Sequence, residues 1–238
     1  MPVFPGFLEI IRIVYGNKKV LDNINLSFES NKIYGLLGPN GAGKTTMMKI
    51  IANRAFPTKG DVRLNGAIVT ENEVIQKNIF YVTEKDKYPK DIKMKDLLKW
   101  EARFYENFDI EQAKQLAQLF NLDLNKKTNT LSTGYYTIFK VIVSLASNSE
   151  VMILDEPVLG IDSLYRGLFY KVLLEYHQKK KNLILIATHL IDEVEPVLEE
   201  VIVIDNGNII RQAPLKELTK GKRLNDVYVE ILKEARNG

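Results

Sequence analysis

Apolar residues in the first third of the chain are spaced as in β-strands. LEIIRIVYG and KKVLDNINLSFES alternate apolar and polar residues on either side of Gly16-Asn17, which predicts a β-hairpin. IYGLLG (33–38) is a short apolar run ending in glycine and predicts a buried strand. DVRLNGAIV (61–69) predicts two short strands around Asn65-Gly66. Between these strands TTMMKIIANRAF has helical spacing, which predicts a helix that Pro57 closes.

The middle of the chain changes to helical spacing. Three segments carry this spacing: KMKDLLKWEARFYENF, DIEQAKQLAQLFNL and the stretch after LSTGYY (131–136). Asp109 and Gln112 have the spacing of a capping box at the start of the second segment. Ser132, with a glycine two residues later and an apolar stretch after it, predicts the start of the third helix.

Strands return after residue 147 and alternate with helices. VMILD (151–155), NLILIAT (182–188) and VIVIDNGNII (201–210) each predict a strand, and LYRGLFYKVLLEYHQKK and DEVEPVLEE predict helices between them. This alternation predicts a mostly parallel sheet. KRLNDVYVEILKEARNG predicts a short amphipathic C-terminal helix.

The predicted fold class is therefore α/β, with a mostly parallel core sheet, an antiparallel β layer near the N-terminus and an inserted helical lobe. We predict a single domain over residues 1–238. Its core and β layer would span about 1–87 and 148–238, and the helical lobe about 88–147.

Composition limits the classes of function. Of the 238 residues 45% are hydrophobic and 26% charged, as in globular proteins, and the absence of cysteine excludes disulfides and thiolate zinc sites and fits a reducing compartment. No apolar run approaches the roughly 18 residues that span a bilayer, and MPVFPGFLEI lacks the basic start of a signal peptide. These features predict a cytosolic chain whose membrane role would need a partner. A net charge of +3 does not indicate nucleic acid, and solvated lysines at a helix end account for HQKKKN (177–182).

GPNGAGKT (38–45) matches the phosphate-loop pattern G-x-x-x-x-G-K-[ST] in full, between a predicted strand and a predicted helix. Its glycines let backbone N–H groups converge on phosphate oxygens at a helix N-terminus. Lys44 would neutralise the β- and γ-phosphates, Thr45 would offer a hydroxyl to Mg²⁺, and Thr46 would reach the α-phosphate. A glycine-rich strand-to-helix turn is the structural alternative. The predicted nucleotide-binding residues of this loop are Gly38, Pro39, Asn40, Gly41, Ala42, Gly43, Lys44, Thr45 and Thr46.

VMILDEP (151–157) places two carboxylates at the carboxyl end of a predicted strand, where ligands bind α/β sheets. Asp155 would hold Mg²⁺ through its hydration shell, and Glu156 would polarise a water for attack on the γ-phosphate. A solvated turn with a helix cap is the alternative, which the neighbouring phosphate loop disfavours.

The chain has two histidines. His177 lies among lysines at a helix end, and a structural role suffices for it. His189 directly follows the apolar strand LILIAT and so lies at the same sheet edge as the carboxylates. We interpret His189 as a contact of the γ-phosphate or the attacking water, and a residue at a helix start is the alternative.

With LSTGY (131–135) between these motifs, nearly the whole chain resembles the nucleotide-binding subunit of an ABC transporter. GPNGAGKT resembles Walker A, VMILDEP resembles Walker B with its catalytic glutamate, and LSTGY stands at the signature position, usually LSGGQ. VLGID resembles the D-loop and ends at Asp162, and His189 stands at the switch histidine. Tyr15 stands where the family keeps an aromatic residue that stacks on adenine.

The resemblance implies a P-loop NTPase fold of the ABC ATPase type and an ATPase site shared by two molecules. Each ATP, with Mg²⁺, would lie between the Walker residues of one subunit and the signature residues Ser132, Thr133 and Gly134 of the other. ATP would thus join two subunits, identical or different, and hydrolysis would release them. The implied partner is a separate transmembrane permease, with this chain peripheral on the cytoplasmic face of the cell membrane.

The chain departs from the family pattern at three positions. Glu84, after the strand IFYV, replaces a glutamine that senses Mg²⁺ and the membrane partner, and its carboxylate could still ligate Mg²⁺. Thr133 replaces a glycine and Tyr135 a glutamine of the signature. With Thr133 and Tyr135, the signature resembles that of a branch of the family that exports peptides or antibiotics. This resemblance indicates an exporter by analogy only.

Two questions stay open on the sequence alone. Trp100, Phe104 and Phe108 repeat at every fourth position, which is typical of a core stripe, although such aromatics could also line a groove for the membrane subunit.

The alternative function is a soluble ABC-type ATPase of assembly or repair. A nucleotide kinase or GTPase would leave LSTGY, Tyr15 and His189 unexplained.

Overall fold

A four-stranded antiparallel sheet forms the N-terminal layer of the described chain. The structure, a computed structural model, describes residues 7–15, 20–70, 72–85 and 87–237. Strands β1 (Phe7–Tyr15), β2 (Leu21–Glu29), β4 (Lys59–Leu64) and β5 (Ala67–Ile68) pair in the order β2-β1-β4-β5. The pairing of β1 with β2 confirms the strands of the predicted hairpin, although its turn at Gly16-Asn17 lies outside the described residues. Asn65 and Gly66 both have positive φ, as the predicted tight turn between β4 and β5 requires.

A second, six-stranded sheet forms the centre of the described residues. Its strands are β3 (Ile33–Leu37), β6 (Ile79–Val82), β7 (Val151–Asp155), β8 (Leu183–Ala187), β9 (Glu200–Asp205) and β10 (Asn208–Pro214). Their order is β10-β9-β3-β8-β7-β6, with parallel pairing throughout except for the antiparallel edge strand β10. The predicted α/β class is therefore confirmed. The prediction of one strand over 201–210 was wrong, because Asn206 and Gly207, both at positive φ, fold it into a hairpin.

Helices connect the strands and cover the central sheet. They are α1 (Lys44–Ile51), α2 (Glu73–Gln76), α3 (Met94–Phe104), α4 (Ile110–Leu119), α5 (Thr133–Ala146), α6 (Ser163–Lys180), α7 (Ile191–Val194), α8 (Leu215–Thr219) and α9 (Leu224–Asn237). Helix α1 ends well before Pro57, because Asn53 adopts a left-handed conformation. The predicted helix in DEVEPVLEE is only α7 followed by a 3₁₀ turn at Glu195–Val197. The side chain of Asp109 accepts a hydrogen bond from the Gln112 N–H at 2.9 Å, as the predicted cap of α4 requires.

Two hydrophobic clusters flank the central sheet. Alternate residues of β3 enter different clusters, with Ile33 and Leu37 on one face and Tyr34 and Leu36 on the other. The first cluster packs the sheet against α3 to α6 and α9, and the second packs it against α1 and the antiparallel layer. Burial on both faces explains why the central strands read as continuous apolar runs.

Two of the three aromatic residues of the predicted stripe are not part of the core. Helix α3 ends at Phe104, and the exposed fraction is 41% for Trp100 and 67% for Phe104. The face of α3 that is buried carries Met94, Leu97 and Leu98. The core interpretation was therefore wrong for Trp100 and Phe104, whereas Phe108, beyond the helix, packs partly buried against the first cluster.

Candidate nucleotide-binding site

A cavity of about 660 Å³ opens at the carboxyl ends of the parallel strands β3, β6, β7 and β8. This is the edge at which ligands bind α/β sheets. The sheet therefore brings together sequence segments that are far apart in the chain. The lining residues are Val20, Asn40, Gly41, Gly43, Lys44, Thr45, Thr46, Lys49, Arg54, Tyr81, Thr83, Glu84, Lys85, Asp155, Glu156, Leu159 and His189.

The phosphate loop runs from the end of β3 into α1 and lies directly on its neighbours. A Cβ atom at Gly38 would overlap the carbonyl oxygen of Ile204 in β9. A Cβ atom at Gly43, which has a φ of 109°, would lie 2.7 Å from a methyl carbon of Leu21. Gly38 therefore requires glycine for its close approach to the β9 backbone, and Gly43 requires it for its positive φ.

A turn behind the phosphate loop holds it in place. The N–H of Gly207, between β9 and β10, donates to the carbonyl of Ala42 at 3.0 Å. The carbonyl of Gly207 accepts from the N–H of Asp22 at 2.9 Å. The loop is thus hydrogen-bonded through Gly207 to the start of β2.

Lys44 lies inside the phosphate loop at the first position of α1. Its Nζ donates to the carbonyl oxygens of Gly38 and Pro39, at 2.5 and 3.0 Å. Burial lowers the pKa of Lys44, and the nearby carboxylates of Glu156 and Asp155 oppose this shift. The ammonium is therefore placed where an incoming anion would be attracted, and it is held by carbonyls that a phosphate could replace.

Asp155 at the end of β7 is bound by two hydroxyl groups. Thr45 Oγ1 donates to its Oδ2 at 2.9 Å, and the buried Tyr81 hydroxyl donates to the same oxygen at 3.3 Å. Burial raises the pKa of the Asp155 carboxyl, and the charge of Glu156 adds to the shift, whereas the two hydrogen bonds and Lys44 lower it. The structure therefore brings together Thr45 and Asp155, the two side chains that the sequence predicted on the metal.

Glu156 adopts a left-handed conformation with a φ of 52°, which is rare for a residue with a side chain. Its N–H donates to the carbonyl of Ala187 at 2.8 Å. Its carboxylate accepts from Thr188 Oγ1 at 2.9 Å and from the His189 N–H at 3.1 Å, and His189 Nδ1 lies 3.0 Å from Oε1. The conformation thus turns the carboxylate from the end of β7 onto the loop that follows β8.

Glu84 is exposed and lines the cavity just beyond the end of β6. Its backbone carbonyl accepts a hydrogen bond from Lys140 Nζ at 3.2 Å. The position is therefore at the mouth of the cavity, on the side of the helical lobe.

Tyr15 ends β1 and is half-buried against the second hydrophobic cluster. Among the described residues it does not line the cavity, whereas Val20 does. Stacking of Tyr15 on adenine stays a prediction.

The signature residues lie at the start of α5, outside the set that lines the cavity. Ser132 caps the helix, since its Oγ accepts from the Tyr135 N–H at 3.3 Å. Ser132 and Thr133 are exposed. A Cβ atom at Gly134 would lie 2.5 Å from the carbonyl oxygen of Gly160, so the signature packs on the D-loop of its own chain.

Three further contacts join the signature helix to the D-loop region. Thr133 lies against Gly160, at 3.1 Å from the Cβ position of that glycine. Thr137 Oγ1 donates to the carbonyl of Leu159 at 3.1 Å. The ring centres of Tyr135 and Tyr165 lie 6.2 Å apart, and a hydrogen bond between the two side chains raises the pKa of Tyr135.

Asp162 caps α6 by accepting from the Tyr165 N–H at 3.1 Å. Thr133 and Tyr135, the two departures from the family signature, thus both face the segment around this cap.

Sequence reasoning missed Tyr81, Thr188 and Lys140, which hold the predicted residues in place. Thr188 directly precedes His189, so its position at the sheet edge was available from the same strand argument. Tyr81 precedes the Thr83-Glu84 pair in β6 and could have been found in the same way. Lys140 lies within an apolar helix, and no local signal relates it to the cavity.

Known proteins share both sequence and fold with this chain. The ABC transporter family model matches residues 21–159, more than half of the chain. The chain is 32% identical to the cytochrome c biogenesis ATP-binding export protein CcmA of Reclinomonas americana over 74% of this chain and 81% of the relative. It is 31% identical to the tungstate uptake system ATP-binding protein TupC of Peptoclostridium acidaminophilum over 82% of this chain and 92% of the relative.

A solved structure of an ATP-binding subunit of an ABC transporter matches the fold with a TM-score of 0.86. This match has 23% identity and covers 95% of this chain and 99% of that one. Within the described residues, no helix combines the length and apolarity that crossing a membrane requires. The match of the family model and the identity to these relatives show that the chain belongs to the ABC transporter family, as the ATP-binding component that hydrolyses ATP for transport.

Proposed function

We propose that the chain works as a dimer with two ATP molecules between the subunits and drives export through a separate transmembrane permease. The proposal of a dimer rests on the position of the signature residues. Ser132 caps an exposed helix N-terminus, yet Ser132 and Gly134 are not among the described residues that line the cavity of their own chain. A capped helix N-terminus is a ready anion site, so it would complete a phosphate site on a second molecule.

Within the cavity, the proposed roles follow from position. Lys44 exchanges the carbonyls of Gly38 and Pro39 for β- and γ-phosphate oxygens. Glu156 accepts a proton from the attacking water. His189, whose side chain is 62% exposed, bridges this carboxylate and the γ-phosphate.

Asn40, Gly41, Ala42 and Gly43 of the phosphate loop bind through backbone N–H groups, and Thr46 reaches the α-phosphate. Tyr15 and Val20 flank the adenine. Asp162 keeps the D-loop in place by capping α6.

The donor set at the end of β7 fits Mg²⁺. This ion prefers oxygen ligands and is usually held by one or two protein oxygens together with substrate phosphates. Thr45 Oγ1 and Asp155 Oδ2, 2.9 Å apart, supply such oxygens, and Glu84 adds a carboxylate at the mouth of the cavity. When bound, Mg²⁺ would neutralise charge on the β- and γ-phosphates.

The proposed docking site of the permease is a groove of about 290 Å³ between the helical lobe and the core. Phe104 and Tyr105 line it from the lobe, and Arg54 and Tyr81 line both this groove and the nucleotide cavity. Phe104 is 67% exposed and Trp100 precedes it by one turn, so the groove has an apolar rim that a short helix of a membrane protein could cover. Docking there would place the chain on the cytoplasmic face of the membrane.

Tyr81 gives this arrangement a physical link to the reaction. Arg54 stacks on the Tyr81 ring at 4.8 Å and donates to its carbonyl at 3.0 Å, while the Tyr81 hydroxyl reaches Asp155. A displacement in the groove would therefore reach the metal ligand through two side chains.

Export is proposed from Thr133 and Tyr135 in the signature and from the relative CcmA, whose name describes an export protein. Because the relative TupC is named for uptake, direction needs its own experiment. The chain would be reconstituted in vesicles with the membrane subunit that co-purifies with it. Release of an amphiphilic reporter from the side that carries the ATPase would support export, and accumulation on that side would refute it.

Size-exclusion chromatography with light scattering tests the dimer. We expect Glu156→Gln to bind ATP without turnover and to elute as a dimer with ATP and Mg²⁺, but as a monomer with ADP. Glu156→Gln/Ser132→Asp is the matched variant, because aspartate still caps α5 and would repel the γ-phosphate opposite. A Glu156→Gln monomer at saturating ATP, also with the membrane subunit present, would refute the proposal.

A further inference from the structure

Lys140 is a buried lysine in the middle of the signature helix α5, with 4% of its surface exposed. Lysine is almost never fully buried unless its ammonium is paired. Here Nζ donates to the carbonyl oxygen of Thr83 at 2.7 Å and to that of Glu84 at 3.2 Å. These two carbonyls follow the end of β6, and both residues line the nucleotide cavity. The buried charge therefore joins the signature helix to the wall of the cavity.

A second side chain of α5 holds the same segment. Tyr136, one turn before Lys140, accepts a hydrogen bond on its hydroxyl from the Tyr88 N–H. The Lys140 ammonium lies 5.5 Å from the centre of the Tyr136 ring, close enough for a cation–π contact. Helix α5 thus fixes the chain after β6 at Thr83-Glu84 and again at Tyr88, through two side chains that contact each other.

Both loops that leave the neighbouring strands β6 and β7 are therefore bound to one helix. Thr137 contacts the loop after β7 through the Leu159 carbonyl, and Lys140 contacts the loop after β6. The N-terminus of the same helix carries Ser132 and Gly134. Rigid helices with fixed contacts at both ends carry coupling between sites when they can adopt two arrangements.

We infer that Lys140 is a positioning residue that couples the Thr83-Glu84 segment at the nucleotide to the orientation of the signature. Filling of the cavity at Glu84 moves the two carbonyls that Lys140 holds, and α5 then presents Ser132 and Gly134 to the second molecule. The coupling rests on the proposed dimer, in which the signature acts on the ATP of the partner. Lys140 itself touches neither ATP nor the reacting water.

Lys140→Met tests the coupling, because methionine keeps an unbranched apolar stem and removes the donor. We expect kcat for ATP hydrolysis to fall about tenfold or more, as misplacement of a site does, while ATP affinity of the isolated monomer is unchanged. Lys140→Arg restores a cationic donor and should recover most of kcat. Lys114→Met is the matched control, because Lys114 is exposed on α4 and pairs only with the exposed Glu111 among the described contacts.

Tyr136→Phe is the second variant and leaves the buried charge in place. It removes the hydroxyl that holds Tyr88, and we expect a smaller fall in kcat than for Lys140→Met. This variant therefore still tests the coupling if Lys140→Met does not fold. The coupling is refuted if a folded Lys140→Met retains wild-type kcat or, where Lys140→Met does not fold, if Tyr136→Phe retains wild-type kcat. It is also refuted if a folded Lys140→Met loses monomer ATP affinity as much as kcat, or if Lys140→Arg gives no recovery.

Dimerisation separates this inference from the proposed function. If Glu156→Gln forms no ATP-dependent dimer, the proposed function fails. If Glu156→Gln dimerises and Glu156→Gln/Lys140→Met dimerises at the same ATP concentration, only the role of Lys140 fails. We expect the double variant to need a higher ATP concentration for dimerisation.

Discussion

Gly134 of the signature and Gly160 of the D-loop approach so closely that a Cβ atom on Gly134 would lie 2.5 Å from the Gly160 carbonyl oxygen. No Cβ is tolerated at that distance without a backbone shift. The contact lies within one chain. The glycine of the signature is therefore needed for packing on the D-loop, whatever it contacts in a dimer.

This relationship predicts that Gly134→Ala destabilises the chain. We expect the free energy of unfolding to fall by about 1–3 kcal/mol, as overpacking does, and ATP hydrolysis to fall with it. Gly167→Ala in α6 is the control, because nothing lies within 4 Å of its Cβ position, and it should stabilise by about 0.5–1 kcal/mol. Urea denaturation measures both, and equal stability of Gly134→Ala and the wild type would contradict the packing argument.

Thr188 positions the carboxylate of Glu156, since its hydroxyl donates to Oε2 and accepts from the Leu190 N–H at 3.1 Å. We expect Thr188→Val to lower kcat about tenfold and to leave KM for ATP unchanged. A positioned general base contributes about 10²-fold or more to the rate, and loss of its hydrogen bond should remove part of this contribution. Thr188→Ser retains the hydroxyl and should keep most of the activity. Steady-state kinetics distinguishes the two, and a Thr188→Val enzyme with normal kcat would show that the hydrogen bond is not used.

Asp155 makes stability depend on pH. Burial raises the pKa of its carboxyl in the folded chain, so its stabilising contribution is full below the unfolded pKa of about 3.9 and is lost as pH rises through the raised value. We expect Asp155→Asn to be more stable than the wild type by about 1 kcal/mol at pH 7, with a difference that shrinks as pH falls toward 4. The variant should also lose ATPase activity.

Denaturation curves at pH 7, 5.5 and 4.5 measure this difference. Asp162→Asn is the control, since Asp162 is exposed and asparagine caps a helix as well as aspartate does. An Asp155→Asn variant that is less stable than the wild type at pH 7 would mean that the hydrogen bonds of Thr45 and Tyr81 outweigh burial.

Ser132 both caps α5 and is proposed to contact ATP on a second molecule. Removal of the cap alone costs about 1 kcal/mol. Asp109→Ala is a matched control, because Asp109 caps α4 through the same kind of bond to the third residue on. We expect Ser132→Ala and Asp109→Ala to lose similar stability, and only Ser132→Ala to lose ATP hydrolysis. If Ser132→Ala weakened ATP binding by the monomer as much as hydrolysis, the contact would lie within one chain.

Glu84 adds a negative charge at the mouth of the cavity, near the expected phosphates. We expect Glu84→Gln to reduce the dependence of ATP hydrolysis on Mg²⁺, because binding would no longer require the ion to offset a carboxylate. A Mg²⁺ titration of hydrolysis at saturating ATP measures this effect. Lys85→Gln, which changes the neighbouring exposed residue, is the control. An unchanged titration for Glu84→Gln would remove Glu84 from the metal site.

The sequence predicted those parts of the site that are local in the chain. The phosphate loop and the acidic pair at the end of β7 each combine a strand end with the side chains that follow it, and the parallel sheet then brings them together. The pair Asn206-Gly207 is also a sequence typical of a tight turn, as found between β9 and β10. The apolar residues on both sides of it led instead to the prediction of one continuous strand.

Residues that act through long-range contacts could not be predicted. Lys140 reaches a loop that precedes it by more than 50 residues, and its helix is buried from Thr137 to Ala146. Trp100 and Phe104 were misassigned because helical spacing defines a face but does not say which face is buried. In α3 the face that carries Met94, Leu97 and Leu98 is buried, and it leaves Phe104 exposed.

The turn behind the phosphate loop has a consequence for ATP binding. Gly207 joins Ala42 to the start of β2, and Asp205, at the end of β9, forms an ion pair with Arg236 of α9 at 3.1 Å. The loop is thus anchored to β2 and to the β9–β10 hairpin, which is itself bound to α9. Its conformational entropy is lost when the chain folds, so an arriving nucleotide meets a rigid cradle and association loses little further freedom there.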